Sequence, residues 1–276
     1  MNKMQTNENG IVTVKKKIKI MNVGDRIKDY YEGRTKQLLM RRTITILRLD
    51  GKGFSKFTKG LNKPFDDGFS EDMDLTAKFL CEEIQGAKFG YTQSDEITIV
   101  LSDFDNQETS AWFDYNVQKM VSISASIATA KFNQLRMARL ANNAYIDVDT
   151  LNNIKLAMFD SRVFQVPTID EMVNTLIFRQ QDCTRNSISM AADAYLKGSM
   201  EGVKGDVKQD RLFKEAGINW NDYKTKYKRG SVIKKVEIGV ATQNGITTRK
   251  RWNVDEETPI FTQDKDYLIN FITNSL

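Results

Sequence analysis

The sequence predicts an α+β protein built on a β-α-β-β-α-β unit, the ferredoxin-like arrangement, followed by a mainly helical stretch. Three observations carry this. Thr43–Leu49 and Ile97–Leu101 are short alternating runs rich in Ile, Val and Thr, the pattern of half-buried strands. Phe69, Met73, Ala77, Leu80, Cys81 and Ile84 recur at helical spacing. The elements then run strand, helix, two strands, helix, strand before Pro167.

Taken in order, residues 1–20 are polar and then basic, with Lys15-Lys16-Lys17 set between valine and isoleucine. They read as a basic N-terminal extension or an edge strand. A solvated tail is the plain interpretation and a basic arm on RNA the sharper one. Asp25 is placed to cap a helix reaching about Met40, with Ile27, Tyr30, Tyr31, Leu38 and Leu39 on its apolar side. The first strand is Thr43–Leu49. A helix over Phe69–Gln85 ends at Gly86. Ala87–Tyr91 and Ile97–Leu101 form two strands across a short polar turn. Trp112–Leu140 reads as one long helix, broken at Asn152-Asn153, and Lys155–Val166 as the fourth strand.

Behind Pro167, Ile169–Leu196 is helical and carries Arg179-Gln180-Gln181-Asp182, Arg185 and Asn186. Gln209–Ala216 and Asn219–Tyr227 read as shorter helices. Gly230–Val240 and Ile246–Trp252 flank Asn244-Gly245, a hairpin turn signal. Asp264–Thr273 closes the chain as a helix. The expected organisation is thus an extension (1–20), a sheet domain (21–166) and a mainly helical C-terminal region with a hairpin (167–276).

Composition narrows the chemistry. Apolar residues form 40% of 276, enough for a substantial core. A net charge of +5 points weakly to a polyanionic partner. Two cysteines cannot make a disulfide framework, which fits a reducing, cytoplasmic setting. There is no histidine, so Ser-His-Asp and Cys-His systems and ordinary zinc sites are excluded. Any metal must be held by oxygen, which selects hard cations such as magnesium or manganese. No apolar run is long enough to cross a bilayer.

The expected strand order identifies the candidate site. The first and third strands lie side by side and antiparallel, so the end of one meets the start of the other. Asp50 ends the first, in Leu49-Asp50-Gly51-Lys52-Gly53-Phe54. Asp95 and Glu96 open the third. Alone, each is an ordinary turn residue. Together they would repel unless neutralised, and divalent cations do that. Two such ions could hold the attacking oxygen, the transferred phosphorus and the leaving pyrophosphate in line. Gly51 would offer a carbonyl and close approach. Lys52, Lys56, Lys59 and Lys63 follow directly; such a face is usually only solvated, though one or two could bind phosphate. No G-x-x-x-x-G-K-[ST] run is present, so there is no P-loop. RNA recognition modules share the topology but stack bases on aromatics, and these two strands have none.

The ordered set LDGKGF, KPFD (63–66), YTQSDE, FDSR (159–162), RQQDCTRN (179–186) and INWNDYKTKYKRG (218–230) resembles the histidine-tRNA guanylyltransferase family, nearest its guanylyltransferase-like tRNA repair branch. The resemblance spans roughly Gly24–Gly230. It implies a polymerase-type palm over 21–166 that adds nucleotides to a tRNA 5′ end in the 3′-to-5′ direction, after activation of the 5′-phosphate by ATP or GTP. By motif match it implies two Mg2+ ions (Mn2+ substituting) on Asp50, Asp95 and the Gly51 carbonyl, with Glu96 as a catalytic helper. Lys52, Gly53, Phe54, Ser55 and Ser94 would line the nucleotide site, and Lys63 and Lys119 would hold a triphosphate. Arg179, Asn186, Lys228 and Arg229 are candidate RNA contacts, each equally readable as a structural ion pair or a solvated charge. The family implies a homotetramer. Where the eukaryotic enzymes carry His-Ile-Asn, this chain has Thr184-Arg185-Asn186, and Met190 replaces a later asparagine. That departure favours template-directed repair of 5′-truncated tRNA over dedicated guanosine addition to histidine tRNA. A palm-type nucleotide cyclase and a non-catalytic tRNA-binding protein are the alternatives.

Overall fold

A computed structural model of the chain describes residues 3–6, 12–15, 21–143, 154–242 and 245–273. It divides into two compact units, Met1–Gln37 and Leu38–Leu276.

In the first unit, Lys3–Thr6 (β1) and Val12–Lys15 (β2) pair antiparallel. Lys16 and Lys17 of the basic run lie outside the described residues. Val23–Tyr30 forms helix α1. Its cap is Asn22, whose side-chain oxygen accepts from the Asp25 amide at 2.8 Å, and not Asp25 as expected. The helix stops at Tyr30 rather than near Met40. Glu32–Thr35 tightens into a 3-10 turn containing Gly33, a poor helix former.

The second unit is organised on one antiparallel sheet. Its strands are Ile44–Gly51 (β3), Ala87–Gln93 (β4), Glu96–Leu101 (β5), Phe159–Val166 (β6), Ser231–Thr242 (β7) and Gly245–Asp255 (β8), in the order β6-β3-β5-β4-β7-β8. The first four stand in the neighbour relation expected, with β3 and β5 central among them. The C-terminal hairpin extends the same sheet beyond β4, Ser231–Ile233 pairing with Gly90–Thr92. Asn244 of the turn signal lies outside the described residues, as do Asn152 and Asn153. The helices are Phe54–Phe57 (α2), Asp67–Glu83 (α3), Val117–Asn143 (α4), Ile169–Tyr195 (α5), Gly205–Ala216 (α6), Thr225–Arg229 (α7) and Asp266–Thr273 (α8).

Alternation sorts the sheet into two faces. Leu47, Leu49, Ile97 and Ile99 point to α3 and α4, packing with Met73, Ala77, Leu80 and Phe132. Ile44, Ile46, Phe89, Tyr91 and Val100 point the other way, packing with Met172, Val173 and Leu176 of α5 and Leu268 and Ile272 of α8. That second face changes character along its length. Ile46 sits opposite Val100, then Arg48 opposite Thr98, then Asp50 opposite Glu96. The apolar row becomes a charged one at the end where β3 stops.

Two expected elements begin later than their hydrophobic pattern suggests. Phe113, Asp114 and Tyr115 adopt φ of 51°, 51° and 54°, so the segment from Trp112 does not continue into α4. Instead, Asn116 accepts from the Lys119 amide at 3.0 Å, starting α4 afresh. Strand β6 starts at Phe159, not Lys155. Ala157 is drawn off the ladder by Asn133, which accepts from its amide at 3.0 Å and donates to its carbonyl at 2.9 Å. No helix among the described residues is long and apolar enough to cross a membrane.

Candidate active site

Strand pairing places the acidic residues. Asp50 is the register partner of Glu96 on one side and of Asp160 on the other. The Gly51 amide donates to the Asp95 carbonyl at 3.1 Å, which fixes the β4–β5 turn against the end of β3. Two stretches more than forty residues apart thus converge through backbone hydrogen bonds alone. Gly51 is required here for packing: a Cβ would stand 2.3 Å from the Phe54 ring. That ring is buried against Phe57, Phe69, Phe132 and Phe159, with centroids 5.0–5.9 Å away.

The carboxylates differ in their compensation. Burial raises Asp50, and the neighbouring charges of Glu96 and Asp160 add to it; Arg48 and Arg162 oppose. Arg162 stands 3.9 Å from Asp50. Asp95 is pushed up to about 6, chiefly by burial and then by Asp50 and Glu96, while its own amide and Ser94 oppose. Glu96 is instead saturated. Its carboxylate receives Arg48 at 2.5 Å and Arg179 at 3.0 Å. Both oxygens of Glu96 are thus taken by arginines, which ties its side chain to this end of the sheet.

Beside Asp95 lies a cavity of about 410 Å³. Phe54, Ser55, Lys63, Ser94, Asp95 and Asn186, all expected at the site, line it. Ser55, Lys63, Ser94 and Asn186 are exposed at its rim. Lys52 and Gly53 are exposed in the turn between β3 and α2, and the Lys52 amide donates to the Met158 carbonyl at 2.8 Å.

Four expected residues sit elsewhere or are otherwise engaged. Lys119 does not reach the carboxylates. Helix α4 meets that end of the sheet at Thr129, whose hydroxyl accepts from the amide of Phe159, the partner of Gly51. Lys119 lies ten residues earlier, about 15 Å back along the axis. Its ammonium rests 5.9 Å from the Phe113 ring. Arg179 is no surface contact: its side chain is 7% exposed and bound to Glu96, over the Phe178 ring. The Lys228 ammonium donates to the Asn221 carbonyl. Arg229 donates to the Thr258 carbonyl at 3.4 Å, while its own carbonyl accepts from the Tyr91 hydroxyl at 2.7 Å.

The cavity also contains residues that the motif reading missed. Asp74, Gln93, Lys226 and Tyr227 line it. Tyr227 stacks on Phe65, 4.5 Å between centroids, and its hydroxyl donates to Asp67. Asp74 had a readable signal, since it occupies the same stripe of α3 as the apolar Ala77 and Cys81. The resemblance covers Lys226 and Tyr227 within 218–230 but assigns them no role, and a five-residue helix has no period to single them out.

Among the described residues, no three of His, Cys, Asp and Glu gather as a metal cage. Magnesium does not require one. It takes one or two carboxylates and completes its shell with substrate phosphates and water. Asp50 and Asp95, both raised by burial and by neighbouring carboxylates, fit that donor set, and Lys52 and Gly53 of the adjoining turn are exposed.

Comparison with known proteins agrees with this geometry. The family model "Thg1: tRNAHis guanylyltransferase" matches residues 24–167. An uncharacterized protein of Acanthamoeba polyphaga mimivirus is 31% identical over 226 residues, 77% of this chain and 77% of that protein. The tRNA(His) guanylyltransferase of Neurospora crassa is 27% identical over 212 residues, 71% of this chain and 67% of its own. The solved structure of a bacterial tRNA(His) guanylyltransferase (Thg1)-like protein in complex with ATP has a TM-score of 0.77 at 39% identity, covering 91% of this chain and 99% of its own. A corresponding complex with GTP has a TM-score of 0.74 at 40% identity, covering 91% and 98%. With the matched segment holding both Asp50 and Asp95, this chain belongs to the tRNAHis guanylyltransferase family and is a nucleotidyltransferase.

Proposed function

We propose that this chain is a tRNA 5′-end nucleotidyltransferase working in the 3′-to-5′ direction, with template-directed repair of 5′-truncated tRNA as its task. The observation that carries the reading is the convergence of the strand end at Asp50 on the turn of Asp95, which lines a cavity rimmed by Ser55, Lys63 and Ser94. The ATP and GTP held by the bacterial Thg1-like relatives support nucleotides as ligands of that cavity.

In this reading β3–β6 with α3 and α4 act as a polymerase-type palm. Asp50, Asp95 and the Gly51 carbonyl hold divalent cations, two in the family pattern. Bound there, the cations would supply Lewis-acid polarisation of the phosphates and alignment of attacking and leaving oxygens. The chain's own residues do the rest. Lys63 and the Ser55 and Ser94 hydroxyls orient the triphosphate. Arg48 and Arg179 clamp Glu96, so the β4–β5 turn presents Asp95 at a fixed height. The tRNA 5′-phosphate is first activated by transfer of a nucleotidyl group from ATP or GTP, releasing pyrophosphate. The 3′-hydroxyl of an incoming nucleotide then attacks that phosphate, and the activating nucleotide leaves as its monophosphate. These are phosphoryl transfers, in which positioning and charge compensation supply the catalysis, so a chain without histidine is sufficient. Exposed Asn186 at the rim is a candidate RNA contact.

The test is incubation of a tRNA lacking its first nucleotide with ATP, GTP and magnesium. Extension at the 5′ end, depending on the base opposite the new position and lost in Asp95→Ala, is expected. A wild type as silent as Asp95→Ala rejects the reading.

A further inference from the structure

The cavity has a rim and an inner wall of different chemistry. The rim is exposed and suits phosphates. The inner wall is buried: Asp74 is 3% exposed and Gln93 5%. Each presents an atom without a hydrogen-bond partner among the described residues, Asp74 Oδ2 and Gln93 Oε1. Buried polar atoms ordinarily find partners, and two orphans lining one cavity mark the place where a ligand supplies them. Between rim and wall stand Phe54, Phe65, Phe69 and Tyr227, planar surfaces that suit a flat heterocycle.

We propose that Asp74 and Gln93 bind the hydrogen-bonding edge of the purine and set the choice between adenine and guanine. This rests on the nucleotide reading above. A carboxylate accepts from both N1–H and the exocyclic N2–H of guanine. A carboxylic acid donates to adenine N1 while accepting from its N6–H. Gln93, with one acceptor and two donors, can serve either base and adds affinity without selecting.

Asp74 is poised between those two forms. Burial pushes its carboxyl up to about 7, with Glu256 and Glu71 adding to the rise. Ser231 and Lys226 oppose it. Lys226 stands 4.0 Å away but is held at 3.0 Å by Glu256, so it compensates Asp74 only in part. These groups come from α3, β7, α7 and the segment after β8, the elements around the carboxyl. Acid pH should therefore favour ATP and alkaline pH GTP. Titration of Asp95 affects both nucleotides alike and cancels in their ratio.

The experiment measures dissociation constants for ATP and GTP with manganese present, from pH 6 to 8, for the wild type, Asp74→Asn and Gln93→Met. Asparagine keeps one acceptor and fixes one donor, as the protonated acid does. Asp74→Asn should weaken GTP about tenfold, leave ATP within about twofold, and flatten the pH dependence of the ratio. Gln93→Met should weaken both nucleotides by similar factors and leave the pH dependence of the ratio intact. A ratio unchanged in Asp74→Asn, or both nucleotides weakened equally by it, overturns the assignment while leaving the nucleotide site standing. A wild type that binds neither nucleotide overturns the nucleotide reading and this inference with it.

Discussion

Asp72 and Asp95 are both acidic, both largely withdrawn from solvent, and have opposite surroundings. Asp72 on α3 is 1% exposed and lies between Arg136 at 3.0 Å and Arg139 at 2.8 Å from α4. Its oxygens are consumed in fastening two helices. Asp95 has Ser94 at 3.2 Å and the repulsion of Asp50 and Glu96, with no arginine on it among the described residues. Burying a charge without a partner is costly, so the second arrangement persists only where something else supplies the compensation. Glu96, one residue on, falls in the first class through Arg48 and Arg179. Saturation by arginine, rather than acidity, separates carboxylates that hold the fold from those that await a ligand.

The comparison breaks most visibly at the open pair. Asp50→Ala or Asp95→Ala should cut 5′ nucleotide addition by about a thousandfold or more, with the thermal midpoint unchanged or raised, because Asp95 has no ion-pair partner among the described residues and Asp50 only Arg162 at 3.9 Å. Gel assays of tRNA extension beside thermal melts would show it. At the saturated site the order reverses. Arg179→Ala strips a buried partner from Glu96 and should cost about 3 kcal/mol of stability by denaturant titration. Arg185→Ala, which loses only an exposed pair with Asp182, should cost less than about 1 kcal/mol.

Proton linkage sharpens the contrast. Asp95 must lose its proton to take a cation, so manganese–nucleotide affinity should climb between pH 5 and 7 and level off above. Stability without cation runs the other way. Asp95 and Asp74 are raised from 3.8 to about 6 and about 7, so the folded state holds these protons more tightly than the unfolded chain. That contribution is full below pH 3.8 and is lost as pH rises through 6 and 7. The melting midpoint should fall across that window and recover, for the Asp95 share, when metal and nucleotide are added. The smallest effect belongs to Lys119. Lys119→Ala should leave nucleotide affinity within about twofold, while Lys63→Ala should weaken it about fivefold, as expected for one phosphate contact.

Much of this was legible in the chain. Period-2 runs at Thr43–Leu49 and Ile97–Leu101 and the spacing of α3 imply the strand order, and the order brings Asp50 to the β4–β5 turn. What stayed hidden depends on side chains choosing among partners. Nothing in Arg179-Gln180-Gln181-Asp182 says that Arg179 turns inward to Glu96, or that Gln180 bonds the Phe261 amide and the Pro259 carbonyl at 2.8 Å each. Only motif spacing points to Lys119, and spacing does not say at which end of a 27-residue helix a sheet presents its charges. The left-handed run Phe113–Tyr115 is invisible to periodicity because Trp112 and Tyr115 are as buried as helical residues would be. Asp74 stands in the apolar stripe of α3, where an acidic residue counts against a helix pattern before it counts toward a site.

Manganese binding in the presence of a non-hydrolysable GTP analogue, read by electron paramagnetic resonance, tests the central claim most directly. The account predicts tightly bound manganese in the wild type, lost in Asp50→Asn and in Asp95→Asn, and kept in Asp72→Asn refolded to a native melt. Manganese retained at wild-type affinity in the Asp50→Asn, Asp95→Asn double variant would contradict it.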